Sequence, residues 1–309
     1  MLLFDAVEYR CFLLITNNGS LITKSLEVIL TQNIQPEMLA TPDWLESHLA
    51  DPLVRVIEIE AMEKSPYDEG HIPGALLWPW QTTLWDRAWR EFISPRDFAQ
   101  LLSRSGVTPE TTLVFYSSDM QFSTYTLWTC MLRGHHRVKV LDGGRKRWEQ
   151  EGRPLTTEIP QITETDYPLQ APNESGRISR DGVLAGLNDP DRVLLDVRSP
   201  EEYRGERVMP LPKFDHGAQR KGRIPGAKHL FFRELLNEDD TFKAADVLRQ
   251  EFEARGATPE KDLVLYCRLS HRATLVWFVA RYLLGYPRVR SYDGSWTEWG
   301  SMVGMPIEL

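Results

Sequence analysis

From about residue 38 onward, short apolar runs alternate with stretches of helical period. In the C-terminal half, "RVLLDV" at 192–197, "LVLYC" at 263–267 and "RVRSYD" at 288–293 are rich in Val and Leu and predict strands. "ATLVWFVARYLLG" at 273–285 predicts a helix closed by a glycine. Near-continuous apolar strands separated by helices imply a parallel sheet buried on both faces. In such sheets ligands sit beyond the carboxyl ends of the strands. Cys267 stands at one of those ends.

The pattern occurs twice. "YDEGHIPGALLWPW" at 67–80 is echoed by "RKGRIPGAKHLFF" at 220–232, and "TPETTLVFYSSDMQF" at 108–122 by "TPEKDLVLYCRLSHR" at 258–272. "LRGHHRVKVLDGGRKRW" at 132–148 returns as "LLGYPRVRSYDGSWTEW" at 283–299. The offsets are 150 to 152 residues in all three blocks, which marks a duplicated domain. A length of 309 residues agrees with two domains. We expect an N-terminal extension over 1–37, one α/β domain over 38–156, a polar, proline-rich linker over 157–176 and a second α/β domain over 177–309. Asp5, Glu8 and Arg10 interrupt the apolar start, so neither a signal peptide nor a membrane helix is expected there. An alternative is that translation begins at Met38, where "MLATPDWLESHL" carries a helix-start signal.

Composition narrows the setting. A net charge of −8 and the lack of a basic, aromatic-rich tract argue against nucleic-acid binding. Three cysteines, Cys11, Cys130 and Cys267, form neither a disulfide framework nor a CxxC zinc pair and fit a reducing cytoplasm.

The stretch that carries chemistry is "YCRLSHR" at 266–272. A strand ends at Cys267 and a helix starts near Ala273, so the loop between them can turn its N–H groups toward a common centre at a helix N-terminus. Arg268, His271 and Arg272 add positive charge, and such surroundings favour a nucleophilic thiolate and an anion arriving at it. A buried cysteine acting only as a small hydrophobe would not attract such neighbours.

These motifs resemble the tandem-domain rhodaneses, the thiosulfate and 3-mercaptopyruvate sulfurtransferases, over about 39–309. "YDEGHIPGA" at 67–75 and "YDGSWTEW" at 292–299 look like the two family signatures, and "YCRLSHR" sits where the family carries its active loop. The resemblance implies two tandem rhodanese-like α/β domains, each a parallel sheet flanked by helices. It implies Cys267 as the catalytic sulfur carrier, charged as a persulfide by an anionic small-molecule donor and discharged to a thiophilic acceptor, with no cofactor and no metal. Arg268, Leu269, Ser270, His271 and Arg272 would bind substrate, Arg268 and Arg272 facing the leaving sulfite. His271 would face solvent or assist proton transfer. Asp196 and Arg198 resemble the family's structural Asp-x-Arg pair, with Trp296 as further support.

Two positions depart from the family. Arg223 replaces the histidine of the repeated "GHIPGA". Where animal enzymes carry an active-site arginine, this chain has Glu202, so Arg204, or else Arg220 or Lys221, would supply the charge. The Cys-Arg start of the loop resembles the thiosulfate enzymes rather than the mercaptopyruvate ones. Ser117 occupies the cysteine position in the first repeat and lacks a base, so that domain is expected to be silent. Two other classes are weighed. A protein sulfur-relay module remains open, while a Cys-x5-Arg phosphatase needs one more residue than the four between Cys267 and Arg272.

Overall fold

A computed structural model of the chain describes residues 37–60, 66–86, 88–209 and 217–309. The expectations for the N-terminal extension and Cys11 lie outside the described residues. In the first repeat, β1 (Leu39–Ala40) precedes α1 (Pro42–His48), which begins where the Thr41 hydroxyl accepts from the Trp44 N–H and Pro42 opens the first turn. Then come β2 (Val54–Glu60), β3 (Leu76–Pro79), α2 (Trp80–Thr83) and a small antiparallel hairpin of β4 (Trp85–Asp86) and β5 (Glu91–Phe92). The unit closes with α3 (Pro95–Arg104), capped by Ser94, β6 (Thr112–Tyr116), α4 (Met120–Leu132), β7 (Val138–Leu141) and α5 (Gly144–Gln150). Its sheet runs β1-β7-β6-β2-β3 with every pairing parallel.

The second repeat builds α6 (Arg180–Ala185), β8 (Arg192–Asp196), α7 (Pro200–Tyr203), β9 (Lys228–His229), α8 (Ala245–Glu253), β10 (Asp262–Tyr266), α9 (His271–Phe278), β11 (Val289–Ser291) and α10 (Ser295–Trp299). Its sheet runs β11-β10-β8-β9, again all parallel. The helix read from the sequence over 273–285 starts two residues earlier and widens into a π turn over Val279–Leu283, and Gly285 follows with φ +71°.

One buried network recurs in both halves. The Tyr266 hydroxyl donates to Asp196 Oδ2 at 2.7 Å and accepts from the Ile224 N–H at 3.1 Å. Tyr116 likewise donates to Glu58 and accepts from the Ile72 N–H at 3.1 Å. The tyrosine at the end of the central strand therefore ties a neighbouring strand's carboxylate to the "IPGA" segment. The countercharge comes from different places. In the first half Arg145 of α5 donates to both Glu58 oxygens, at 2.9 and 3.1 Å. In the second half Trp296 holds the corresponding position, and Arg198 neutralises Asp196 at 2.6 Å with its guanidinium 4.6 Å from the Trp296 ring centroid.

The repeats meet through α4 and α9. α4 is buried almost all round, and its Thr126 and Thr129 hydroxyls donate to carbonyls one turn back in the helix. Thr124 of α4 and Thr274 of α9, 150 positions apart, place their hydroxyl oxygens 3.5 Å from one another. Cys130 lies inside α4, fully buried, and burial pushes its thiol pKa up.

Tyr266→Phe leaves a buried carboxylate and a buried N–H each short of a partner, which costs about 1–3 kcal/mol. The urea midpoint should fall accordingly, and an unchanged midpoint would remove the tyrosine from the scaffold's supports.

Candidate active site

β10 delivers Cys267 to the carboxyl edge of the second sheet, and the chain turns at once into α9. Ser270 makes the turn with φ +74°, a left-handed conformation that is costly for a residue with a Cβ. Hydrogen bonds from α10 and β11 hold the loop in that shape. The Cys267 N–H donates to Ser295 Oγ at 3.2 Å, and the Trp296 N–H donates to the Cys267 carbonyl at 2.9 Å. The Arg268 carbonyl accepts from the Thr297 N–H at 3.2 Å and from its hydroxyl at 2.8 Å. Ser270 and Ser291 share a hydroxyl contact of 3.0 Å. The carbonyls of 267 and 268 are thus turned toward α10. The amide N–H groups of residues 268–272 meet no acceptor among the described residues. Together with the start of α9 they form a ready anion cradle.

The two loop arginines have different fates. Arg272 donates from Nη1 to Glu202 Oε2 at 2.6 Å and from Nη2 to Oε1 at 2.9 Å, a two-pronged pair with a fully buried carboxylate. Burial opposes both charges, yet each favours the other, so the Glu202 carboxyl is held below its ordinary range and the Arg272 guanidinium is raised. The expectation that Arg272 faces the leaving group is corrected accordingly: its charge is compensated and its fork engaged. Glu202 is held in turn by a capping box with Ser199 at the start of α7.

Arg268 has no carboxylate within ion-pair distance among the described residues. Burial, and then the like charge of Arg272, lower its pKa. A Cβ on Gly217 would lie 2.5 Å from Arg268 Nη1, so glycine there makes room for the guanidinium.

His271 does not face solvent. Its ring packs among Trp80, Tyr125 and Phe122 of the first repeat, with centroids 4.3, 4.4 and 4.8 Å away, and lies parallel to Trp85 at 6.3 Å. Its Nε2 is buried without a partner. Burial and then Arg268 push its pKa down to about 3, so the ring is neutral near pH 7 and poorly suited to carrying protons. Leu269 and Ser270 border a cleft of about 620 Å³ that is also lined by the hairpin of the first repeat, while Cys267 does not line it and is nearly inaccessible.

The remaining expected positions are spread out. Arg204 is half-exposed and paired with Glu206 at 2.5 Å, so the prediction that it supplies charge to the loop is not supported by its placement. Arg220 spends its donors on the carbonyls of Trp299, Gly300, Met302 and Met305. Arg223 pairs with Glu308 at 3.2 Å. In the first repeat Ser117 is buried at the matching strand end, its hydroxyl 2.7 Å from the Ser123 hydroxyl and 2.7 Å from the Asp119 carbonyl. Sequence reasoning missed Glu202 as a partner, Ser295 and Thr297 as loop anchors, and the aromatic residues around His271. The "DGSWTEW" motif contained the signal for the anchors; the others depend on tertiary contacts.

A family model described as "Rhodanese-like domain" matches residues 41–151 and again 179–302. The chain belongs to the rhodanese family, as a tandem of two such domains. It is a rhodanese-domain sulfurtransferase. The "Sulfur carrier protein TtuD" of Thermus thermophilus is 46% identical over 277 residues, spanning 88% of this chain and 96% of that protein. The "Putative thiosulfate sulfurtransferase" of Haloferax volcanii is 40% identical, spanning 88% and 96%. Its namesake in Mycobacterium tuberculosis is 41% identical, spanning 88% and 98%. Among solved structures, a variant of EanB in complex with ergothioneine superposes with a TM-score of 0.79 at 25% identity, over 88% of this chain and 70% of that one. YnjE superposes with a TM-score of 0.77 at 25% identity, over 88% and 68%. No helix among the described residues is long and apolar enough to cross a membrane.

The buried neutral histidine has a measurable consequence. An unfolded histidine binds a proton below about pH 6.5, whereas His271 in the fold does so only near pH 3. The unfolded state therefore binds more protons between these values, and stability falls as pH drops through that window, by up to about 1.4 kcal/mol per pH unit. His271→Phe, which keeps a ring in the aromatic pocket, should flatten the loss between pH 6.5 and 5. Parallel stability curves for the two proteins would contradict the burial.

Proposed function

We propose that the protein moves a sulfane sulfur from thiosulfate through a Cys267 persulfide to a thiophilic acceptor such as cyanide. The observation that carries this reading is the loop itself: one cysteine at a strand end, followed by N–H groups without an acceptor and by Arg268 without a carboxylate partner among the described residues. In the first half-reaction the Cys267 thiolate attacks the outer sulfur of thiosulfate. A new S–S bond forms, the old one breaks, and its electron pair leaves with sulfite. Loop N–H groups stabilise the terminal persulfide sulfur, and Arg268 meets the developing charge on sulfite. In the second, the acceptor's lone pair takes the outer sulfur and the S–S electron pair returns to Cys267 as thiolate. The first domain is silent in this scheme, because Ser117 carries no soft sulfur and its hydroxyl is engaged by Ser123 and Asp119.

A second reading, that Cys267 relays sulfur between proteins, is favoured by the printed role of the 46% identical relative, a sulfur carrier. It shares the persulfide and differs in donor and acceptor. A cytoplasmic setting fits a persulfide that requires a reduced thiol.

Incubation with thiosulfate should add one sulfur, about 32 Da, and Cys267→Ser should abolish the addition. Persulfide on Cys130 in that variant would refute the assignment. Removing a donor that meets transition-state charge costs ~3 kcal/mol. Arg268→Gly should therefore lower thiosulfate kcat/KM roughly a hundredfold and mercaptopyruvate turnover less. An equal loss with both donors would mean that Arg268 only holds the loop.

A further inference from the structure

Two features of the hairpin formed by β4 and β5 are unexplained by the fold. Arg90, in the turn before β5, holds φ +52°. That backbone region is natural for glycine and strained for arginine, and such strain persists where something else requires it. Arg90 is also exposed and takes part in no hydrogen bond or ion pair among the described residues.

Its position gives the strain a purpose. The guanidinium lies 5.7 Å from the centroid of Trp85. Trp85 is fixed by an indole hydrogen bond to the Tyr125 hydroxyl and by its stack on His271 of the loop. Arg90, Leu269 and Ser270 line the same cleft. The carboxylates lining that cleft are already engaged. Glu91 and Asp293 bind Arg177, Glu174 binds Arg133, and Glu298 accepts from the Tyr292 hydroxyl. Since Arg272 is neutralised by Glu202, Arg268 in the loop and Arg90 in the hairpin are left with no carboxylate partner among the described residues. Leu269 and Ser270, which border that cleft together with Arg90, directly follow Arg268 in the chain, so an anion entering the cleft passes Arg90 on its way to the loop.

We propose that Arg90 of the first domain is an anion-recognition residue of the second domain's active site, selecting a doubly charged sulfur donor. This rests on the thiosulfate reading and extends it. Two arginines without a carboxylate partner among the described residues match a dianion, whereas a monoanion gains little from the outer one. Because Arg90 sits at the rim in contact with water, it acts on capture more than on the bond-breaking step. The residue is invisible to a comparison of the repeats, since it belongs to the half that carries Ser117 at the position of Cys267.

The test is steady-state kinetics with thiosulfate and with mercaptopyruvate, on wild type, Arg90→Ala, Arg90→Lys, Arg90→Gly and Arg96→Ala. Arg96 is an exposed arginine on α3 and controls for the loss of one positive charge. Arg90→Ala should raise the thiosulfate KM about tenfold with kcat within about twofold, and the mercaptopyruvate KM by less than about threefold. Lysine should restore most of the affinity, because a rim site needs charge more than a planar fork. Arg90→Gly should match alanine in KM while melting no lower than wild type, since glycine relieves the strained backbone. An Arg90→Ala KM equal to that of Arg96→Ala would overturn the inference, provided wild type still forms its persulfide from thiosulfate. A wild type that takes no sulfur from thiosulfate would overturn the reading beneath it as well.

Discussion

The buried pair between Glu202 and Arg272 is the constraint on which the candidate site depends. Two charges withdrawn from water are expensive, and only close, two-pronged geometry offsets the cost. The pair meets that requirement, and it ties the start of α9 to α7. The loop between Cys267 and α9 is therefore clamped at its far end, while Ser295 and Thr297 clamp its near end. The loop N–H groups are left without an acceptor among the described residues. The pair also distinguishes the two loop arginines: Arg272 anchors, while Arg268 has no carboxylate partner among the described residues.

The two halves show what duplication preserved and what it released. Both keep the strand-end tyrosine, its carboxylate and the "IPGA" amide, which together seat the sheet's carboxyl edge. The source of the countercharge changed, from Arg145 in one half to Arg198 in the other, with Trp296 filling the vacated position. In the first half the strand end carries Ser117, hydrogen-bonded to its own loop. That half has another use. Its Trp80, Phe122 and Tyr125 enclose His271, so the second domain's loop is shaped partly by a domain without a cysteine at the matching position.

Much of this was legible in the sequence. The apolar runs gave the parallel strands, the fixed offset gave the duplication, and an apolar run ending in Cys267 gave the loop at a strand's carboxyl end. The positive character of the loop was also legible, but its distribution was not. Arg272 and Glu202 are 70 positions apart, and no local pattern says that a glutamate in the place of an expected arginine will bind an arginine of the loop. His271 looks like a solvated loop residue until α4 of the other repeat is packed against it. Arg204, adjacent to the family's arginine position, points instead to Glu206 two residues on. Local pattern reports which residues are near in the chain; charge pairing and burial depend on the fold as a whole.

The central claim is that the loop N–H groups and Arg268 create one anion cradle around Cys267. A crystal structure of the protein after thiosulfate treatment tests it most directly. The account predicts one additional sulfur bonded to Cys267 Sγ, with its outer atom within hydrogen-bond reach of the N–H groups of residues 268–272. An outer sulfur turned away from those groups, or no sulfur on Cys267 in crystals whose protein turns over thiosulfate, would contradict it.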